Sequence, residues 1–157
     1  MTQAESRQPA TPARHFSSDA EIDAIGRGLL ELSLPASAWT HAAHLAAAAW
    51  LIAVRTDLEP ARDMPGIIRA YNEASGVPNS DTRGYHDTIT QASLLAVRSF
   101  LAQQPIGTPL HAACNALLAS PYGDKGWLLS YWSRELLFSV PARRGWIAPD
   151  LRPLPFS

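Results

Sequence analysis

The stretch from Ser37 to Val54, SAWTHAAHLAAAAWLIAV, limits what this chain can fold into more than any other. Wound as a helix it has no polar face, because every position after His44 is Ala, Leu, Trp, Ile or Val. A helix that is apolar all round is buried on all sides. The apolar run from Leu45 to Val54 is about half the ~20 residues that span a bilayer. Other parts of the same chain must therefore cover it.

The flanking sequence supplies the cover. Ser18 and Glu21 have capping-box spacing ahead of Ile22, Ile25, Leu29 and Leu32, which predicts a first helix ending at Pro35. Thr40 is placed to cap the apolar helix, running to about Arg55, with Trp39 just outside it. Pro65 near a start and Gly76 after an end bracket a short third helix carrying Ile67, Ile68 and Tyr71. After the turn-rich VPNSDTRG, a long fourth helix is expected from about Tyr85 to Gln104. Thr108-Pro109 opens a fifth, and Asp124 caps a sixth through Phe138, stopped by Pro141. No alternating β pattern, GxGxxG or P-loop glycine motif is present. The expected fold is an all-α, single-domain bundle of about five to six helices with antiparallel neighbours. Residues 1–16, polar and proline-bearing, read as a flexible leader that includes an incidental His15. Residues 17–157 form the domain, ending in a tail that wraps the surface in extended form.

Composition narrows the function classes. Apolar residues make up 46% of the 157 and charged residues 17%, which suits one domain with a real core. A net charge of −1 removes the electrostatic case for nucleic acid or an anionic membrane surface. The single cysteine, Cys114, allows neither an intrachain disulfide nor an all-cysteine metal site and is expected to pack as a small core residue. With no signal-like apolar stretch at the N-terminus, the expectation is a soluble cytoplasmic protein.

Against this apolar background a few polar residues stand out. His41 and His44, three apart, lie about 60° apart and one turn along the second helix, so both rings can reach one point. His86 falls in the middle of the inward arc of the fourth helix, with Thr90 and Ser93 below it. In GWLLSYWSRELLF, Glu135 is flanked on its apolar arc by Leu128, Tyr131, Trp132 and Phe138. Neutral imidazole is a common ligand of divalent metals, and bundles build such sites from facing helices. One reading is therefore a mononuclear zinc or iron site on His41, His44 and His86, acting on a small organic molecule by hydrolytic or oxidative chemistry. Glu135 is its candidate catalytic residue, as a fourth ligand, as the partner of a ring N–H, or as a general base. Thr90 and Tyr131 are the candidates for touching the substrate.

The other reading is a non-enzymatic module for ligand binding or subunit interaction, a homodimer included. There the inward polar groups form a satisfied hydrogen-bond network, and the five tryptophans and the tail build the interface. Geometry separates the two. The metal site requires three rings converging within about 4 Å of one point beside open space, whereas the module expects bonded ring nitrogens and no cavity.

At WTHAAHL and GYHDTIT the chain resembles a group of small, mostly uncharacterised helical proteins that share W/F-x-H-x-x-H-L and YH-x-T elements. The ending YWSRELLFSVPARRGWIAPDL is similar to theirs as well, so the likeness spans about Trp39 to Leu151. It implies that His41, His44 and His86, with Thr88 or Thr90, are the motif positions. In size and class the chain is also similar to DinB-like bundles, which carry three histidines on a divalent metal and include thiol-dependent transferases. Those proteins use a later HxxxH pair where this chain has an early HxxH.

Overall fold

The computed structural model describes residues 16–156, and among them every regular element is helical. Five helices form the body: α1 (Asp19–Leu30), α2 (His41–Ala53), α3 (Pro60–Ala74), α4 (Asp87–Ala102) and α5 (Leu110–Ala119). As its composition requires, α2 is the centre and packs against the other four. Ala43 and every residue from Leu45 to Leu51 are buried, while His44 at the helix mouth is exposed. Most of the expected leader, His15 included, lies outside the described residues. Phe16, assigned to it, belongs to the core, where its backbone N–H and C=O bond the Asn115 side chain at 2.8 and 2.9 Å.

Small residues set how closely the helices approach. The Trp50 ring lies directly over Gly26 of α1, where an added Cβ would fall 2.2 Å from the ring, and its indole N–H donates to Asp23 at 3.0 Å. Ser18 caps α1 by accepting from the Glu21 N–H at 3.3 Å. The Glu21 carboxylate reaches the N–H of Ser17 at 2.9 Å, one residue earlier than a capping box would have it. The far end of α1 closes through Leu32 at φ 60°, with the N–H groups of Ser33 and Leu34 both donating to the Gly28 carbonyl. This is the left-handed C-terminal position that glycine normally fills.

Helix α3 starts at Pro60, five residues before the expected start, so Pro65 lies inside it. Proline cannot donate to the carbonyl four residues back, Ala61. The Gln91 side chain of α4 fills that place, donating to the Ala61 carbonyl at 2.9 Å. The gap in one helix thus becomes the link to the next.

The expected sixth helix from Asp124 to Phe138 is broken. Asp124 does cap, but it starts a 3₁₀ segment, Lys125–Ser130, and Ser133 then caps a separate short helix α6 (Arg134–Leu137). Trp127, Leu128, Trp132 and Leu137 are all buried, and on one continuous α-helix they would be spread over about 220° of the circumference. The break lets all four face a second, smaller core against Ala92 and Ala96 of α4. A further helix, α7 (Val140–Arg144), precedes the extended tail. The tail packs against this second core. Trp132 donates to the Ile147 carbonyl at 2.9 Å, Asp150 accepts from the N–H and hydroxyl of Ser133 at 2.6 Å each, and Leu154 and Phe156 join the second core.

Two substitutions test this packing by urea unfolding. Gly26→Ala drives a methyl group into the Trp50 ring and is expected to cost about 1–3 kcal/mol. Leu32→Gly relieves a left-handed backbone at an exposed residue and is expected to stabilise by up to about 1 kcal/mol. A destabilised Leu32→Gly protein would show that the leucine side chain matters more there than its backbone.

Candidate functional site

The element GYHDTIT organises the chain on one side of α4. Gly84, at φ 85°, lies where a Cβ would come within 2.3 Å of the Pro78 carbonyl oxygen, so only glycine fits the turn. The Tyr85 ring is buried beneath the Arg69 guanidinium, 4.5 Å from its centroid, and its hydroxyl donates to Asp87 at 2.5 Å. Burial, followed by that carboxylate, raises the Tyr85 pKa and keeps the hydroxyl protonated. Thr88 is fully buried and serves the tail twice, donating to the Gly145 carbonyl at 2.9 Å and accepting from the Ile147 N–H at 3.1 Å. Arg143 of α7 donates to the carbonyls of Gly84 and Tyr85. The motif residues hold the C-terminal segment against the body.

His86 belongs to this structural set. It is the N-cap of α4 rather than a residue on the helix's inward arc. Its Nδ1 accepts from the Ile89 N–H at 3.2 Å and its Nε2–H donates to the Leu137 carbonyl at 2.7 Å. A neutral imidazole has one donor and one acceptor, and both are used, so no lone pair is left for a metal. Desolvation lowers the His86 pKa, with the Arg143 charge acting the same way and the Leu137 bond opposing it. Among the described residues no group of three or more His, Cys, Asp or Glu side chains is placed to hold an ion. The donor set does not fit the zinc or iron centre that the spacing suggested, because His86 is committed elsewhere.

His41 and His44 have a different arrangement. Thr40 caps α2 through its hydroxyl, accepting from the Ala43 N–H at 3.2 Å. The His44 Nδ1–H donates to the Thr40 carbonyl at 2.7 Å, and the ring stacks on Trp39 with centroids 3.7 Å apart. His41 donates through Nε2 to the Tyr122 carbonyl at 3.1 Å. Carbonyls only accept, so the bonded nitrogens carry hydrogen, and a neutral ring at either position has its lone pair on the other nitrogen, His41 Nδ1 or His44 Nε2. The surface His44 exposes opens into a cavity, and protein atoms crowd the ring elsewhere. That desolvation lowers its pKa to about 4 against the upward pull of the Thr40 carbonyl, with His41 adding a smaller downward push.

The cavity holds about 640 Å³ between α2, α3, α4 and the C-terminal segment. Leu45, Ala48, Met64, Ile68, Leu94 and Trp127 are among its apolar walls, and Leu128, Leu137 and Phe138 extend them. Its polar lining is His41, His44, Thr90, Ser93, Asp124, Lys125 and Arg134. Two candidates from the sequence, His41 and His44, therefore meet here, joined by Thr90, whose hydroxyl donates to the His86 carbonyl at 2.9 Å. His86 itself does not line the cavity.

Glu135 and Tyr131 do not line it either. Glu135 was placed on an apolar arc by projecting one unbroken helix. With the restart at Ser133 it sits in the first turn of α6, exposed, where a carboxylate suits the positive end of the helix dipole. Tyr131 packs on Trp127, and Arg152 lies over its ring at 4.8 Å. The sequence reading also missed Lys125 and Arg134. Lys125 carried a signal, being the only lysine in 157 residues. Cys114 is buried as expected, and burial pushes its thiol pKa up to about 12, which makes it unreactive. Comparison with protein-family models, curated proteins and solved structures gives no match.

The histidines carry a pH signature. Both His44 and His86 have folded pKa values below the ordinary 6.5, so the unfolded chain binds more protons as pH falls. Stability is expected to be full above about pH 6.5 and to fall as pH drops from there toward about 4. In His86→Asn, whose side-chain oxygen still caps Ile89, the fall between pH 7.5 and 5 should be shallower, after a loss of about 1 kcal/mol at pH 7.5 for the missing Leu137 bond. Urea unfolding at both pH values measures this, and an unchanged slope would remove His86 as a titrating group.

Proposed function

We propose that this chain binds a small, largely apolar organic molecule in the cavity beside α2. The observation that carries this reading is the cavity itself, with apolar walls on three helices and a few polar groups in its lining. That is the usual composition of a small-molecule site, and the volume lies within the range such sites occupy. The free lone pairs of His41 and His44 give a ligand two hydrogen-bond acceptors. The low pKa of His44 supports binding over catalysis, because a general base works best with a pKa near the operating pH.

Thermal unfolding with uncharged apolar probes such as indole, cyclohexanol and 1-octanol tests the reading. A molecule that binds only the folded state stabilises it by about 1.4 kcal/mol at ten times its Kd. At least one probe is expected to raise the Tm, and Ala48→Leu, which projects into the cavity, is expected to abolish the rise while leaving the fold intact. A series with no response, or one unaffected by Ala48→Leu, would overturn the assignment.

A further inference from the structure

We infer that the natural ligand of this cavity is an amphipathic organic monoanion whose carboxylate is held by Lys125 and Arg134. This rests on the small-molecule reading above and specifies the ligand's chemistry. Five arginines and one histidine elsewhere in the molecule are ion-paired: Arg27 with Asp23, Arg55 with Asp57, Arg62 with Asp63, Arg98 with Glu59, Arg144 with Asp81 and His111 with Asp19. Lys125 and Arg134 make no ion pair among the described residues, and neither do Arg69, Arg83, Arg143 and Arg152, but of these six only Lys125 and Arg134 line the cavity. Arg134 has only the Phe138 ring beneath it, 5.6 Å from the centroid.

Two cations facing an apolar chamber are complementary to a molecule with an apolar body and an anionic head. Both are exposed, so each can keep contact with water when the cavity is empty. The opposing charge at this mouth is Asp124, whose Oδ1 is engaged by the Gly126 N–H at 2.8 Å as the cap of the 3₁₀ segment. Two cations against one carboxylate leave a single net positive charge. That balance suits a carboxylate monoanion better than a dianionic phosphate ester. His44 stays neutral under ordinary conditions, so it adds no further charge and offers an acceptor to a hydroxyl or N–H on the ligand body.

Isothermal titration of the full chain with octanoate, 1-octanol and octylammonium, which share one apolar tail and differ in head-group charge, tests the inference. Octanoate is expected to bind about tenfold tighter than octylammonium. Lys125→Gln and Arg134→Gln are each expected to weaken octanoate about three- to tenfold while leaving 1-octanol unchanged. Both side chains are exposed, so the variants keep the fold, and circular dichroism checks that they do. Octanoate affinity that survives both substitutions, or a preference for octylammonium, would overturn the anion assignment while 1-octanol binding kept the cavity reading. Failure of all three probes to bind would overturn both.

Discussion

The fold depends on the absence of a polar face on α2. A helix with nothing to offer water gains by being covered on every side, at roughly 25 cal/mol for each Å² of apolar surface removed from it. Four helices do the covering, and the alanines of α2 let them approach closely. Where a neighbour has to come closer still, the adjustment lies in the neighbour: Gly26 gives up its side chain so that Trp50 can lie flat across α1. Cover is incomplete only at the ends of α2, at the exposed Ala53 and at the N-terminal mouth. At the mouth Thr40 caps the helix, the histidine pair lines the opening rather than filling it, and the cavity remains.

The second structural requirement is to hold the C-terminal third in place, since it closes the cavity with Lys125–Leu129, Arg134, Leu137 and Phe138. This segment has little regular structure of its own. Beside the exposed Arg144–Asp81 pair and the Tyr122 carbonyl that accepts from His41, it is fixed by polar bonds to one element, GYHDTIT: His86 to Leu137, Thr88 to Gly145 and Ile147, and the Gly84 and Tyr85 carbonyls to Arg143. Each of these motif residues presents a buried or half-buried group that would cost about 1–3 kcal/mol if left unpaired. Closure of the cavity and satisfaction of the motif are therefore one event. Conditions that charge His86 would loosen the wall of the site as well as the fold.

The histidines show how far sequence reasoning reaches. That three imidazoles were inward or at helix starts was legible from spacing, and all three do have structural partners. Which nitrogens are free was not legible, because it depends on carbonyls 81 residues away for His41 and 51 away for His86. The misplacement of Glu135 has another cause. A hydrophobic projection assumes one continuous helix, and Ser133 restarts the chain, so the phase is lost after Ser130. The same break brings Lys125 and Arg134 to one cavity, which no periodicity could show.

The sequence by itself determined that every regular element among the described residues is helical, that the stretch after His44 is central, that Thr40 and Ser18 open helices, and that Cys114 is a core residue. These follow from local rules: apolar periodicity, caps, proline and the lack of β alternation. Only the tertiary structure decided that His86 is a cap and a brace, that Pro65 sits inside a helix repaired by Gln91, and that an apolar chamber with two unpaired cations exists. Those features arise from contacts between segments far apart in the chain. Their energies are set by which donor meets which acceptor when the helices pack, and a pattern read along one segment contains no information about its distant partner.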